Sequence, residues 1–423
     1  MAGRPLEGLH VVIVPTWYPT PEAPTGGRVF QEYIEAFTGA GARVGLLYPD
    51  LVDLGNWPGY ARSAPYWTRV RQMGLPPWSW PAPREESMAG SPVVRVRGLH
   101  TSLGKRERRI ERYAIWLERA FRHYAARHGV PDVLNPHCAT PAGWAALQLA
   151  SGLHPRPRVV LTEHTGPFSL LLPEPRIAER TLAACREADA IAAVGTLLRS
   201  EMQQAGVTAP IELIPNPVSA GFRFAEMPPP GRAANGRPSF TGLFVGRFTK
   251  KKGIPELAEA IERLARDPEV AFRWEFFGFG EKEEEARLRK LFASGPARGL
   301  GTVHGIGGRE EIARVMRASH FHVLPSHRDN CPLAVVESLS MGRPVVGTTG
   351  TGVEYYVRAD DGDGVLCQPG NVEDLTRALR EVVRRDWDAR AIAARAEARF
   401  SEAAIAESYG RMFRISSEPA RNS

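Results

Sequence analysis

Asp329 and Glu337 lie eight residues apart. A carboxylate accepts two hydroxyl hydrogen bonds and strengthens them with its charge, so the pair suits a ligand rich in hydroxyls. Upstream, Val245-Gly246-Arg247-Phe-Thr-Lys-Lys-Lys252-Gly253 gathers cations. A diphosphate leaving group needs such charge, and arginine binds phosphate in bidentate fashion. By charge alone Lys250 and Lys251 compete with Lys252. His137 follows Val-Leu-Asn-Pro, and His164 follows Val159-Val-Leu-Thr-Glu. Both histidines come at the ends of strand-like runs, the edge at which open α/β sheets bind ligands. Glu163 adds a charge there, with no role that the sequence defines.

The elements that must hold these groups alternate. Leu9 to Val14 reads as a first strand, Val29 to Ala40 as a helix and Arg43 to Tyr48 as a second strand. Further strands are expected at Val93–Val96, Val133–Asn135, Arg158–Leu161, Ala190–Val194 and Ile211–Ile214. A second series begins at Phe240–Val245 and continues through Arg273–Phe277, Thr302–His304, Phe321–Leu324, Pro344–Val346 and Gly364–Leu366. Strands alternating with helical patterns imply doubly wound α/β domains. The breaker-rich stretch Met227 to Pro238 reads as a loop or linker, which puts the domain boundary near 215–238. The expected division is 1–220 and 221–399, with a last helix at about 400–415 crossing back to the first domain. Asp329 falls in a turn after the apolar run Phe321–Leu324. Pro332 suits the first turn of a helix that runs to about Met341, and Gly342 ends it. A helix cap is the alternative role for Asp329.

Composition bounds the class. The chain has 423 residues, 43% hydrophobic and 24% charged, as two soluble globular domains would. No run approaches the roughly 20 apolar residues that span a bilayer. The N-terminus lacks a signal-peptide core, and four scattered cysteines show no metal-ligand spacing. A cytoplasmic protein without a metal site is expected. The formal charge of +7 favours anionic partners, a nucleotide diphosphate or an anionic lipid surface, and nucleic acid is not among those expected. The densest basic stretch, 105–122, interleaves arginines with Tyr113, Trp116 and Phe121. It reads as an amphipathic helix for a membrane interface, or as a solvated helix whose Glu107, Glu111 and Glu118 pair its arginines. Residues 56–83 hold Trp57, Trp67, Trp78 and Trp80 among prolines; their rings serve an acceptor or pack the loop itself.

Asp329, seven residues, Glu337 and the following Gly-Arg-Pro-Val-Val resemble the signature of retaining family-4 glycosyltransferases, the group 1 glycosyl transferases. The resemblance implies a GT-B architecture, two Rossmann-like domains facing across a cleft. It implies transfer of a sugar from a nucleotide-diphospho-sugar, as substrate and not cofactor, to a glycan or glycolipid hydroxyl with retained configuration and no metal. Asp329, usually Glu in the family, faces the transferred sugar, and Glu337 holds the ribose. Gly246-Arg247…Lys252-Gly253 resembles the family's Gly-Arg…Lys-Gly element, which selects Lys252 for the diphosphate. Gly278, in Gly-Phe-Gly280, matches the turn beside the base, and Gly347 to Glu354 matches a glycine-rich donor loop. Asn330, Cys331 and Leu333 fall within the donor segment. Gly26 and Gly27 resemble the glycine-rich loop after the first strand, where glycine lets backbone approach the donor phosphate or merely serves a tight turn. His164 takes the place beside the transferred sugar and diphosphate, with His137, Thr165 and Trp78 on the acceptor side. A weakly catalytic scaffold subunit is the alternative function. A dinucleotide-dependent enzyme is disfavoured because neither domain's first strand leads into a complete glycine fingerprint.

Overall fold

The computed structural model describes residues 4–20, 26–53, 82–100, 106–234 and 236–414. They form two compact units: residues up to 194, 198–217 and 405 onward in the first, and 195–197 with 218–404 in the second.

The first unit is an eight-stranded sheet. Its strands are β1 (His10–Pro15), β2 (Arg43–Asp53), β3 (Pro83–Met88), β4 (Ser91–His100), β5 (Val133–His137), β6 (Arg158–Glu163), β7 (Ala190–Ala193) and β8 (Ile211–Leu213). Their spatial order is β3-β4-β2-β1-β5-β6-β7-β8, parallel throughout except for β3. Helices α1 (Val29–Gly39), α2 (Arg106–His128), α3 (Trp144–Ser151) and α4 (Pro175–Glu187) connect strands of this sheet, and α5 (Thr196–Gln204) follows β7. The strand order reverses at β1, where β1 pairs with both β2 and β5. That is the switch point at which such sheets open a crevice.

Strand β3, which forms a hairpin with the expected strand β4, was not expected from the sequence. β3 is polar and mostly exposed, so it lacks the apolar alternation of a strand. Its two-residue turn, Ala89-Gly90, has both φ values positive, 48° and 78°. This geometry matches the twist of antiparallel strands, but alanine in the first position hides it.

Helix α2 corrects a second expectation. Tyr113, Trp116, Phe121 and Tyr124 do not face outward; with Ile110, Leu117 and Ala120 they are buried. The Tyr113 hydroxyl donates to the Pro15 carbonyl at 2.6 Å. Glu107 and Glu111 pair with Arg180 of α4, and Glu118 pairs within the helix, with Arg122. Arg108, Arg109 and Arg112 are left exposed. Trp78 and Lys105 lie outside the described residues.

The second unit is a seven-stranded sheet. Its strands are β9 (Gly231–Arg232), β10 (Pro238–Val245), β11 (Ala271–Phe277), β12 (Gly301–Gly305), β13 (Phe321–Val323), β14 (Val345–Thr348) and β15 (Gly364–Cys367). The main path runs β12-β11-β10-β13-β14-β15, all parallel, and β9 pairs antiparallel with β10. Its helices are α6 (Ile254–Leu264), α7 (Lys282–Ala293), α8 (Arg309–Ala318), α9 (Leu333–Ser340), α10 (Val372–Arg384) and α11 (Ala389–Phe400). The core carries Trp274, Phe244, Phe276, Val323, Val336 and Val346, near-continuous apolar runs of the kind a sheet covered on both faces requires. Helix α12 (Glu402–Arg414) returns to the first unit from Ile405 onward.

Candidate functional site

In the second unit the expected donor residues come from loops at the carboxyl ends of β10, β11, β13 and β14. Lys250–Lys252 form a 3₁₀ turn that ends at Gly253, φ +71°. A Cβ on Gly253 would stand 2.1 Å from the Pro325 carbonyl oxygen, so only glycine lets this turn lie against the end of β13. The Lys251 carbonyl accepts from the His327 amide at 2.9 Å, which pins the two loops together. Lys250 and Lys251 are exposed. Lys252 is partly buried, and its ammonium pairs directly with the Asp329 carboxylate. Asp329 is therefore not a side-chain cap on α9, whose N-cap is Pro332 in an extended conformation. Pro332 thus sits one position before the first helical turn that the sequence assigned it.

Other glycines fix the neighbouring loops. Gly278 has φ +156°, and a Cβ there would lie 1.8 Å from the Gly246 carbonyl oxygen. The β10 and β11 loops touch backbone to backbone at that point. Arg247 is exposed, its guanidinium 5.7 Å from the Phe279 ring centre. The Asp329 amide donates to the Thr351 carbonyl at 2.8 Å, which brings the glycine-rich loop 347–354 against the Asp329 turn. The Asn330 carbonyl accepts from the Tyr356 hydroxyl at 3.0 Å, and Cys331 and Leu333 are half-buried beside it.

Glu337 is half-buried on α9, and no hydrogen bond from a described residue reaches its carboxylate. Desolvation pushes its pKa up to about 7, and the charge of Arg309 partly opposes the shift. Arg309, at the start of α8, carries no sequence signal that marks it. No group of His, Cys, Asp or Glu among the described residues could hold a metal ion.

The first unit gathers its histidines at the ends of β5 and β6. His137 is fully buried, so it does not line an acceptor surface as the sequence suggested. Its strand is buried on both faces, and Phe30 and Tyr33 of α1 pack on the ring with centroids 4.9 and 4.8 Å away. It stands behind His164, which is half-buried: His137 Nδ1 and His164 Nε2 are 2.7 Å apart. Burial lowers both histidine pKa values. Trp17, in the loop after β1, meets His164 edge-on at 5.3 Å and is partly exposed, a neighbour that the sequence did not single out.

Glu163 also gains a role. It is fully buried and accepts from the amides of Ala139, His164 and Thr165 at 2.7, 2.8 and 2.7 Å. One carboxylate thereby ties the loop after β5 to the loop after β6. Between them Cys138 adopts φ +75°, a region that non-glycine residues avoid, and the Thr165 hydroxyl donates to its sulfur at 3.2 Å. Burial raises the Glu163 pKa, and its three amide donors work against the rise.

Gly27 has φ +72°, and a Cβ there would meet Tyr18 Cα at 2.9 Å. Its turn geometry and close backbone approach alone require glycine. Gly26, beside it, is half-buried.

Comparison with known proteins agrees with this layout. The model described as Glycosyltransferase Family 4 matches residues 27–222, and that described as Glycosyl transferases group 1 matches residues 239–385. The sulfoquinovosyl transferase SQD2 of Arabidopsis thaliana is 32% identical over 155 residues, 36% of this chain and 28% of the relative. The lipopolysaccharide core biosynthesis glycosyltransferase LpsE of Rhizobium meliloti is 29% identical over 141 residues, 33% of this chain and 38% of the relative. The chain thus spans about a third of the length of these curated relatives. Over 95% of this chain and 99% of its own, the crystal structure of Anabaena HepE in complex with UDP superposes with a TM-score of 0.63 at 15% identity, a likeness of fold. With two consecutive models matching most of its length and a GT-B structure superposing on nearly all of it, the chain belongs to the family-4, group 1 glycosyltransferases of GT-B fold.

Proposed function

We propose that the protein transfers a sugar from a nucleotide-diphospho-sugar to a hydroxyl of a glycan or glycolipid, with retention of configuration. The observation that carries this is the carboxyl edge of the second sheet. There Lys252, paired with Asp329, follows β10 in the same loop as exposed Arg247, and Glu337 is a carboxylate that no hydrogen bond from a described residue occupies. Glu337 accepts the ribose hydroxyls, and Arg247 and Lys252 meet the diphosphate. Asp329 orients Lys252 and faces the sugar. The acceptor hydroxyl attacks the anomeric carbon on the face from which the diphosphate departs. A leaving phosphate oxygen takes its proton, so the products are the glycoside and the nucleoside diphosphate. The two cations meet the departing charge, which is why the reaction is expected to need no metal.

HepE was crystallised with UDP, SQD2 is named a sulfoquinovosyl transferase and LpsE is named for lipopolysaccharide core biosynthesis; a nucleotide-sugar donor and a cell-surface acceptor fit this chain by analogy. An acceptor of that kind sits at a membrane. No described helix is long and apolar enough to cross one, so the exposed arginines of α2 are the proposed contact with an anionic cytoplasmic face. Thermal-shift screening against a panel of nucleotide-sugars tests the donor, since a ligand of the folded state raises its stability. NMR of the anomeric product then tests retention. No stabilisation by any donor together with no transfer would overturn the proposal.

A further inference from the structure

The second unit has a cavity of about 500 Å³ that none of the proposed donor residues lines. It lies at the far end of α9 from the Asp329 turn, where Ser340 closes the helix. Its other walls are the segment 218–224, α11 and residues 401–403. Val218 and Ser401 form a parallel bridge, and the Val218 amide donates to the Phe400 carbonyl at 3.0 Å, so two of these walls are tied together. The Arg317 guanidinium donates to the Gly221 carbonyl at 2.9 Å, and that of Arg390 lies 4.6 Å from the centre of the Phe224 ring. The segment 218–224 is thus held from both ends. Ala220, Ala393 and Ala403 have no bulk to fill the space between the walls. The volume is that of small-molecule sites, about 300–1,000 Å³.

The polar groups of the lining supply donors and acceptors together. The Ser340 hydroxyl donates to the Val336 carbonyl at 2.9 Å, which leaves its lone pairs for a ligand. The hydroxyls of Ser219 and Ser401 accept from the amides of Gly221 and Ala404 at 3.3 and 3.2 Å, which leaves each a proton to donate. Arg223 and Glu397 add a guanidinium fork and a carboxylate, and neither side chain has a partner among the described residues. Glu397 repels a phosphate and Arg223 repels an amine. An acyl chain would strip water from these groups and return no hydrogen bond. A sugar hydroxyl both donates and accepts, and the C–H face of a sugar ring covers the aromatic surface of Phe222 and Phe224. We propose that this cavity is a second carbohydrate site, which binds neutral sugar units apart from the donor. In the proposed glycosyl transfer it keeps a glycan chain on the enzyme between transfers; that use rests on the transfer reading, and saccharide binding does not.

The test is saturation-transfer NMR of the full chain with neutral disaccharides of glucose, galactose and mannose, on wild type, Arg223→Ala and Glu397→Gln. Both side chains are exposed, so the variants should fold as wild type does, which thermal unfolding checks. At least one disaccharide should bind wild type, and either substitution should weaken it by about ten- to a hundredfold, the loss of a hydrogen bond to a charged group. Affinity for UDP, ADP or GDP, measured by calorimetry, should not change. No binding by any of the disaccharides would overturn the proposal, as would binding that both variants keep. Displacement of the bound sugar by inorganic phosphate or glycine would assign the cavity to a charged ligand and refute the carbohydrate reading. Sugar binding that the variants lose, in a protein that binds no nucleotide-sugar, would leave the site standing and remove its use in transfer.

Discussion

Glu337→Gln should stabilise the protein in alkaline solution while it removes donor binding. The carboxyl is held at about pKa 7, against an ordinary 4.5, chiefly by desolvation. Between those values the folded state keeps a proton that the unfolded chain has released. Stability contributed at this site therefore falls as pH rises from 4.5 to 7, with no penalty below the window and the full penalty above it. At about 1.4 kcal/mol per pKa unit, the full penalty is at most about 3.5 kcal/mol. Glutamine does not titrate, so the stability difference between Glu337→Gln and wild type should grow by up to that amount from pH 5 to pH 8. A domain of roughly 150–250 residues shifts by about 2–4 °C per kcal/mol, so the difference in Tm should grow by several degrees. The assay is thermal unfolding of both proteins at each pH, taking the difference so that other titrating groups cancel. Ribose hydroxyls bind the ionised form better, so wild-type donor affinity should weaken as pH falls from 8 to 6, by up to about tenfold. A stability difference that stays flat between pH 5 and 8 would refute the desolvated carboxylate and the affinity argument with it.

Three further outcomes are expected. Lys252→Ala should abolish transfer with the fold intact, and Asp329→Asn, which removes the partner of Lys252, should lower kcat; near-normal turnover in either folded variant counts against the diphosphate role. Glu163→Ala leaves the amides of Ala139, His164 and Thr165 without their acceptor, and loss of the buried Ala139 bond alone costs about 1–3 kcal/mol, so a clear fall in Tm is expected and an unchanged Tm would contradict the clamp. Glutamate at Arg108, Arg109 and Arg112 should weaken flotation with anionic liposomes, and the effect should vanish at high salt; equal binding by both proteins would remove α2 as the contact.

The alternation of strands and helices was legible in the sequence because it is local. Apolar runs, helix periods and glycine stops depend on near neighbours, and they located every parallel strand of both sheets to within a few residues. The antiparallel strands were missed: β3 is a polar edge strand with an alanine in its turn, so neither local signal was present, and the two-residue β9 falls in the stretch read as a loop or linker. The family resemblance singled out Lys252, and the structure distinguishes it from its neighbours only by its partial burial and its pairing with Asp329. What only the tertiary structure decided depends on partners far away in the chain. The sequence could not show that the rings of α2 face inward, because an amphipathic stripe fits a sheet as well as a membrane. Nor could it place His137 behind His164, give Glu163 three amides, or bring Tyr409 to Thr162 across 247 positions. One clue was local: Asn135 and His137 are polar in a strand that both faces of the sheet bury. Their partners, the Val160 carbonyl and the His164 ring, come to them only with the fold.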